Sequence, residues 1–168
     1  MRIAILKETK FKENRVAITP DVAKDLVNKG FQVMVEAGAG LASFFSNEAY
    51  NAVGASVIGD VASLYKDADI ILRVNPPTPE EIAMMKKDAV LISFMFAATN
   101  PAMVEACCKA QISAFSMDAV PRISRAQKMD ALSSQANLAG YKSVILAADT
   151  LGKILLMMTT SAGTFKLV

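Results

Sequence analysis

Histidine is absent from all 168 residues, so no imidazole can serve as general base, metal ligand or member of a Ser-His triad. Cysteine is nearly absent too: Cys107 and Cys108 are neighbours in a helical pattern. Adjacent thiols seldom close a disulfide, and reduced thiols of a cytosolic protein are expected. Although 53% of the residues are hydrophobic, no apolar run reaches the roughly 18 residues a bilayer span needs. Asp149 and Lys153 interrupt the most apolar late segment. There is no basic run, aromatics do not interleave with Lys and Arg, and the net charge is only +2, so nucleic acid is not an expected partner. No Gly/Ser/Pro tract divides the chain, and the apolar opening Met1 to Leu6 is too short for a signal peptide but suits a first strand. No metal site is expected.

What is present is alternation. A chain of this length can bury on the order of 70% of its unfolded surface, and length alone suggests one domain. Apolar runs at Arg2 to Leu6, Phe31 to Glu36, Ala55 to Ile58, Asp69 to Val74, Ala89 to Phe94 and Ile112 to Ser116 predict strands. Helices are expected between them. Thr19-Pro20 opens one through Asn28, Ser46 caps another to Val53, and Asp60 to Lys66 forms a third. Thr78-Pro79-Glu80-Glu81 is a capping box for a helix to about Lys86, and Asn100-Pro101 starts one through Lys109. The expected fold class is α/β: a doubly wound, mostly parallel sheet with flanking helices and a long C-terminal helix. The excess of hydrophobic residues fits a buried parallel sheet together with an apolar surface for a partner.

In such sheets ligands gather at the carboxyl ends of strands. Arg15, Arg73 with Asn75, Phe96 and the loop after Ser116 fall there and predict a cleft. Gly38-Ala39-Gly40-Leu41-Ala42-Ser43 imitates a dinucleotide fingerprint but has Ser43 in place of the third glycine, so it reads as a tight turn. The chain is therefore expected to carry no convincing dinucleotide fold of its own.

The densest functional signal is Pro121 to Tyr141. Between Arg122 and Ser134 two arginines, a lysine, a carboxamide, a carboxylate and three hydroxyls surround only three bulky apolar residues, Ile123, Met129 and Leu132. That is too polar for a core strand. From Ser133 or Ser134 a long amphipathic helix is expected, with Leu138, Tyr141, Ile145 and Ala148 at three- and four-residue steps. A polar loop at the mouth of a rigid element suits ligand contact. Capping by Ser133 or Asp130 explains part of the same pattern, but does not require Arg122 or Gln127.

The stretch resembles the loop of arginine, glutamine and aspartate in the NAD(H)-binding component, domain I, of proton-translocating transhydrogenases. Arg122, Gln127, Asp130 and Ser133 fall on that motif, and Ser133 to Tyr141 continues it. The resemblance implies that these four residues bind NAD(H) at its nicotinamide end. Gln127 and Asp130 would orient the ring as the catalytic pair, and Arg122 would tether a carboxamide, ribose or phosphate oxygen. Direct hydride transfer needs reacting carbons within roughly 3 to 3.5 Å, so fixing ring position would be the loop's task.

The opening Met1-Arg2-Ile3 and the run Asn14 to Pro20 are shared with alanine dehydrogenases, which are expected to place a lysine at Asn75 and a histidine at Phe96. Both substrate-handling groups are missing, which favours transhydrogenase. Arg15, a substrate-carboxylate ligand in those relatives, is expected here to hold the cleft in shape. The implied partners are NADP(H)-binding and membrane domains and a second copy in a homodimer, with a cytoplasmic location peripheral to the inner membrane through partner subunits. Residues 1–135 are expected as a Rossmann-like (flavodoxin-like) domain. Residues 136–168 are expected as a linking helix and the start of a NAD-binding domain cut short before its pyrophosphate-cradling turn. Leu155 to Met158 reads as core or subunit interface. Two other readings stay open: a non-catalytic dimerisation module, and a fragment of an amino-acid dehydrogenase.

Overall fold

The alternation of apolar runs with capped helices becomes a six-stranded, wholly parallel sheet. In chain order its elements are β1 (Arg2–Ile5), α1 (Pro20–Asn28), β2 (Gln32–Glu36), α2 (Asn47–Ala52), β3 (Ser56–Ile58), α3 (Val61–Asp67), β4 (Ile70–Leu72), α4 (Pro79–Ala83), β5 (Val90–Ser93), α5 (Pro101–Ala110) and β6 (Ser113–Ser116). The computed structural model describes residues 1–152, 158–161 and 163–165. They divide into two units, Met1–Pro121 and Arg122–Val168.

In the first unit the period of two along each strand sends alternate side chains to opposite faces, so the sheet has two cores. Ala4 of β1 and the following Leu6 join Ile71, Leu91 and the helix residues Leu64, Tyr65, Ile82, Met103 and Cys107 on one face. Ile3 and Ile5 join Val33, Val35, Ala23 and Tyr50 on the other. Thus α3, α4 and α5 cover one side and α1 and α2 the other. Helix starts are where cap chemistry predicts them. Thr19, Ser46 and Asp60 each accept a backbone N–H of the first turn, and Thr78 with Glu81 closes a reciprocal capping box.

The strand order is β3-β2-β1-β4-β5-β6. This is the order of the dinucleotide-binding sheet, with its switch between β1 and β4, and differs from the flavodoxin order. The expectation of no dinucleotide fold is therefore corrected at the level of topology. Local chemistry is what differs: the β1–α1 connection, residues 6–19, contains no glycine, so the tight phosphate-cradling turn is not built there. Gly38 to Gly40 forms the expected tight turn, Gly38 at φ +77° and Ala39 N–H donating to the Glu36 carbonyl.

Two elements end two or more residues ahead of their sequence patterns. β4 stops at Leu72 because the Val74 and Asn75 N–H groups turn to the Glu8 carboxylate. α4 stops at Ala83, and the Lys86 ammonium beyond it pairs with Asp69.

The second unit holds a 3-10 turn, Ser124–Met129, the 20-residue α6 (Ala131–Thr150) and an antiparallel pair, β7 (Met158–Thr160) with β8 (Gly163–Phe165). α6 starts ahead of the expected Ser133 or Ser134, because the Asp130 carboxylate is its cap. No α6 side chain is buried, and Leu138, Tyr141, Val144 and Ile145 stand exposed, so the expected apolar stripe is uncovered in this chain. Leu155 to Met157 lie outside the described residues, and Met158 is described only as backbone. Among the described residues no helix is long and apolar enough to cross a membrane.

Candidate functional site

The polar stretch of the second unit folds around its own backbone. Ile123 is extended, then Ala126 N–H donates to the Ile123 carbonyl at 2.9 Å and opens the 3-10 turn, with the Ala126 methyl as its buried contact. The long side chains on either side of Ala126 are thereby turned outward. Asp130 ends the turn and begins α6: its Oδ1 accepts the Ser133 N–H at 2.9 Å, and its carbonyl accepts the Ser134 N–H at 3.2 Å. Ser134 Oγ donates to the Ala131 carbonyl at 3.0 Å. Of the candidate caps, then, Asp130 supplies the oxygen, and Ser133 is the residue whose N–H is capped.

Arg122, Ile123, Ser124, Gln127, Asp130, Ser133 and Ser134 line a cavity of about 520 Å³. All four residues named from the sequence are in it, brought together by one tight turn and the first turn of one helix. Sequence reasoning does not single out Ser124, Ser134 and Ile123 as site residues, although each lies within the same polar stretch. The Asp130 carboxyl is held below the usual carboxylate range by hydrogen bonds from Ser133, side chain first and backbone second, with the Arg122 charge adding to them. The cavity therefore offers a fixed anion, a guanidinium fork, a carboxamide and three hydroxyls. A flat amide-bearing ring presents both a donor and an acceptor in its plane, and this donor set can meet both. Among the described residues no group of three Cys, Asp or Glu could hold a metal ion.

The carboxyl edge of the first unit's sheet is occupied differently. Arg73, expected to face a cleft, is instead buried, 6% exposed. Its Nη1 meets Glu81 Oε1 at 2.6 Å and Tyr65 Oη at 3.0 Å, and its Nε lies 3.9 Å from Glu8 Oε1. Burial is the largest single influence and works against the Arg73 charge, but the hydrogen bond to Glu81 together with the charges of Tyr65, Glu81 and Glu8 outweighs it, so the guanidinium stays protonated; burial raises the Tyr65 phenol. Glu8, missed in the sequence because it sits in a polar run, accepts the Val74 N–H at 2.7 Å and ties the end of β4 to the loop after β1. Asn75 Nδ2 bridges Glu8 and Glu13 at 3.0 and 2.9 Å. Glu13 in turn grips Arg15 Nε and Nη2 at 2.8 and 2.7 Å. Its carboxyl is held at about 2, chiefly by that bond to Arg15. Arg15 thus has the shape-holding contacts expected of it. A smaller cavity of about 160 Å³ is lined by Lys7, Glu8, Glu13, Asn14, Arg15 and the Gly38 turn.

Phe96 takes φ +46° and stacks on Phe94 with ring centroids 6.4 Å apart. Asp118, in the loop after β6, accepts the Met95 and Phe96 N–H groups at 2.8 and 3.1 Å and the Ser116 hydroxyl at 2.6 Å.

A fold of this order, with the arginine, glutamine and aspartate of one turn around one cavity, can be set against known proteins. Residues 4–139 match the family described as alanine dehydrogenase/PNT, N-terminal domain. The chain belongs to that family. Among its curated alanine dehydrogenase/PNT relatives is the first part of NAD(P) transhydrogenase subunit alpha of Rhodospirillum rubrum, 45% identical over 98% of this chain and 44% of the relative. Alanine dehydrogenase of Bacillus subtilis is 35% identical over 91% of this chain and 39% of the relative. The crystal structure of a transhydrogenase from Sinorhizobium meliloti superposes with a TM-score of 0.89 at 44% identity, covering 98% of this chain and 49% of that one. The chain thus spans about half the length of these relatives or less. This alanine dehydrogenase/PNT domain carries Asn75 and Phe96 in structural roles, one bridging two carboxylates and the other stacked on its neighbour.

Proposed function

We propose that this chain is the N-terminal part of the NAD(H)-binding component of a transhydrogenase, and that residues 122–134 orient the nicotinamide end of NAD(H). The observation that carries the reading is the convergence of Arg122, Gln127, Asp130 and Ser133 on one cavity of about 520 Å³. NAD(H) supplies the hydride chemistry when bound. Gln127 and Asp130 fix the carboxamide plane, one by donating and accepting and the other by accepting only. Arg122 holds a ribose or phosphate oxygen, and its charge also steadies the Asp130 anion. Ser133 spends both its N–H and its hydroxyl proton on the Asp130 carboxylate and offers the ligand the accepting lone pairs of its hydroxyl oxygen. NADP(H) binds on a partner domain, membrane domains couple the reaction to proton movement, and the assembly is a homodimer held at the cytoplasmic side of the membrane by those partners. The division into an α/β domain, residues 1–135, and a linking helix with the start of a second domain, 136–168, belongs to the same proposal.

The donor set fits the ring end of the coenzyme. The glycine-free connection after β1 does not fit its pyrophosphate. The measurement that follows is a fluorescence titration of this chain with reduced nicotinamide mononucleotide and with NADH. The two should bind within about tenfold of each other, since one hydrogen-bonded contact differs by roughly that factor. Gln127→Ala and Arg122→Ala should weaken both alike. NADH binding much tighter than the mononucleotide, or unchanged in both variants, would contradict the reading.

A further inference from the structure

Two phenyl groups stand almost entirely in water: Phe11 is 87% exposed and Phe44 98%. They lie on the connections that leave the carboxyl ends of β1 and β2, and hydrogen bonds join those connections into one rim. Ser43 Oγ donates to the Asn14 carbonyl at 2.5 Å, Lys7 N–H to Glu36 Oε2 at 2.8 Å, and Tyr50 Oη to the Ile18 carbonyl at 2.8 Å. Both tips use left-handed backbone at residues that disfavour it, Lys12 at φ +62° and Phe44 at φ +64°. Each tip is closed by a backbone bond, Glu13 N–H to the Lys10 carbonyl and Phe44 N–H to the Leu41 carbonyl, both at 3.0 Å. The fold therefore tolerates backbone strain to present phenyl groups that it does not bury.

Charge on the rim is sorted as well. Lys7, Lys10 and Lys12 are exposed, and the Lys12 ammonium stands 5.3 Å from the Phe11 ring centroid. The two carboxylates of the same loop are engaged within the fold, Glu8 by Val74 and Asn75 and Glu13 by Arg15 and Asn75. Outward-facing charge on residues 7–12 is thus cationic, interleaved with a phenyl group. We propose that this rim docks directly on an anionic lipid bilayer. Phe11 and Phe44 would enter the boundary between headgroups and acyl chains, and the three lysines would pair with lipid phosphates. An acidic protein could match the charge, but it would need apolar pockets set at the spacing of the two phenyl groups. A bilayer offers apolar depth beneath anionic headgroups at every lateral position, and the rim's projecting, pocketless side chains match that.

The test is co-sedimentation of this chain with vesicles of phosphatidylglycerol and phosphatidylcholine in equal parts, against vesicles of phosphatidylcholine alone. Binding to the anionic vesicles at low salt, lost at high salt, is expected. Lys10→Glu with Lys12→Glu should weaken partition by at least roughly fivefold per lysine. Phe11→Ala with Phe44→Ala should weaken it roughly tenfold or more. Unchanged thermal midpoints, expected for side chains this exposed, keep lost binding from being lost fold. No binding of the unmodified chain to anionic vesicles, or binding by both double variants as strong as that of the unmodified chain, overturns the proposal. So does retention on a polyglutamate matrix without vesicle binding, which assigns the rim to an acidic protein. None of these outcomes bears on residues 122–134, so the coenzyme reading stands or falls separately.

Discussion

At the scale of single residues, the sheet's carboxyl edge is governed by carboxylates that find cations. Glu13 is held at about 2, principally by its hydrogen bond with Arg15. A folded value below the unfolded one, near 4.3, means that the folded state is favoured while Glu13 is ionised. That contribution is complete above about pH 4.3 and is lost as pH falls toward 2. Urea midpoints should therefore drop across that window in the native chain, and Glu13→Gln should flatten part of the drop. A variant curve parallel to the native one would show that the pair contributes nothing. Arg73→Met leaves Glu8 and Glu81 without their buried cation and should cost about 3 to 5 kcal/mol by denaturant unfolding. Arg15 could be given its holding role from the sequence, but Arg73 could not be placed. A charged residue at the end of an apolar run has no stated direction until Tyr65, Glu81 and the distant Glu8 surround it. For the same reason Glu8 was invisible, its use depending on a backbone turn at Val74 and Asn75.

At the scale of elements, caps and turns were the legible part, because their chemistry is local. The Gly40 turn is an example with a consequence: a Cβ there would lie 2.8 Å from both the Phe45 carbonyl and the Tyr50 ring. Backbone cannot retreat as a side chain can, so Gly40→Ala should destabilise by about 1 to 3 kcal/mol, read as a lower melting temperature. Helix α6 shows where local reading falls short. Three hydroxyl or carboxylate residues, Asp130, Ser133 and Ser134, could each have capped it, and spacing alone did not choose. The chain chose Asp130 because the preceding 3-10 turn brings its carboxylate over the Ser133 N–H. Asp130→Ala should fray the first turn of α6 and pull Ser133 out of the cavity, while Asp130→Asn, which keeps an accepting oxygen, should retain the turn. Amide exchange at Ser133 and Ser134 separates the two: faster in the alanine variant, close to native in the asparagine one.

At the scale of the whole molecule, fold class followed from alternation, because apolar runs of strand length separated by capped helices leave little besides a parallel sheet. Strand order did not follow. Nothing in the spacing says that β4 returns beside β1, and the order emerged only with the two cores that Ala4 and Ile5 divide between them. The four cavity-lining residues Arg122, Gln127, Asp130 and Ser133 were legible through family resemblance and crowded polarity; their convergence on one cavity needed the turn around Ala126. The exposed phenyl groups were not legible, since a phenylalanine beside lysines reads equally as core or surface. Under the proposed function, Gln127 and Asp130 hold the nicotinamide carboxamide. The most direct test of this is the carboxamide nitrogen resonance of labelled NADH, followed as the coenzyme binds the native chain, Gln127→Ala and Asp130→Asn. A shift on binding that disappears in both variants is predicted; a shift that persists in both at saturating coenzyme contradicts it.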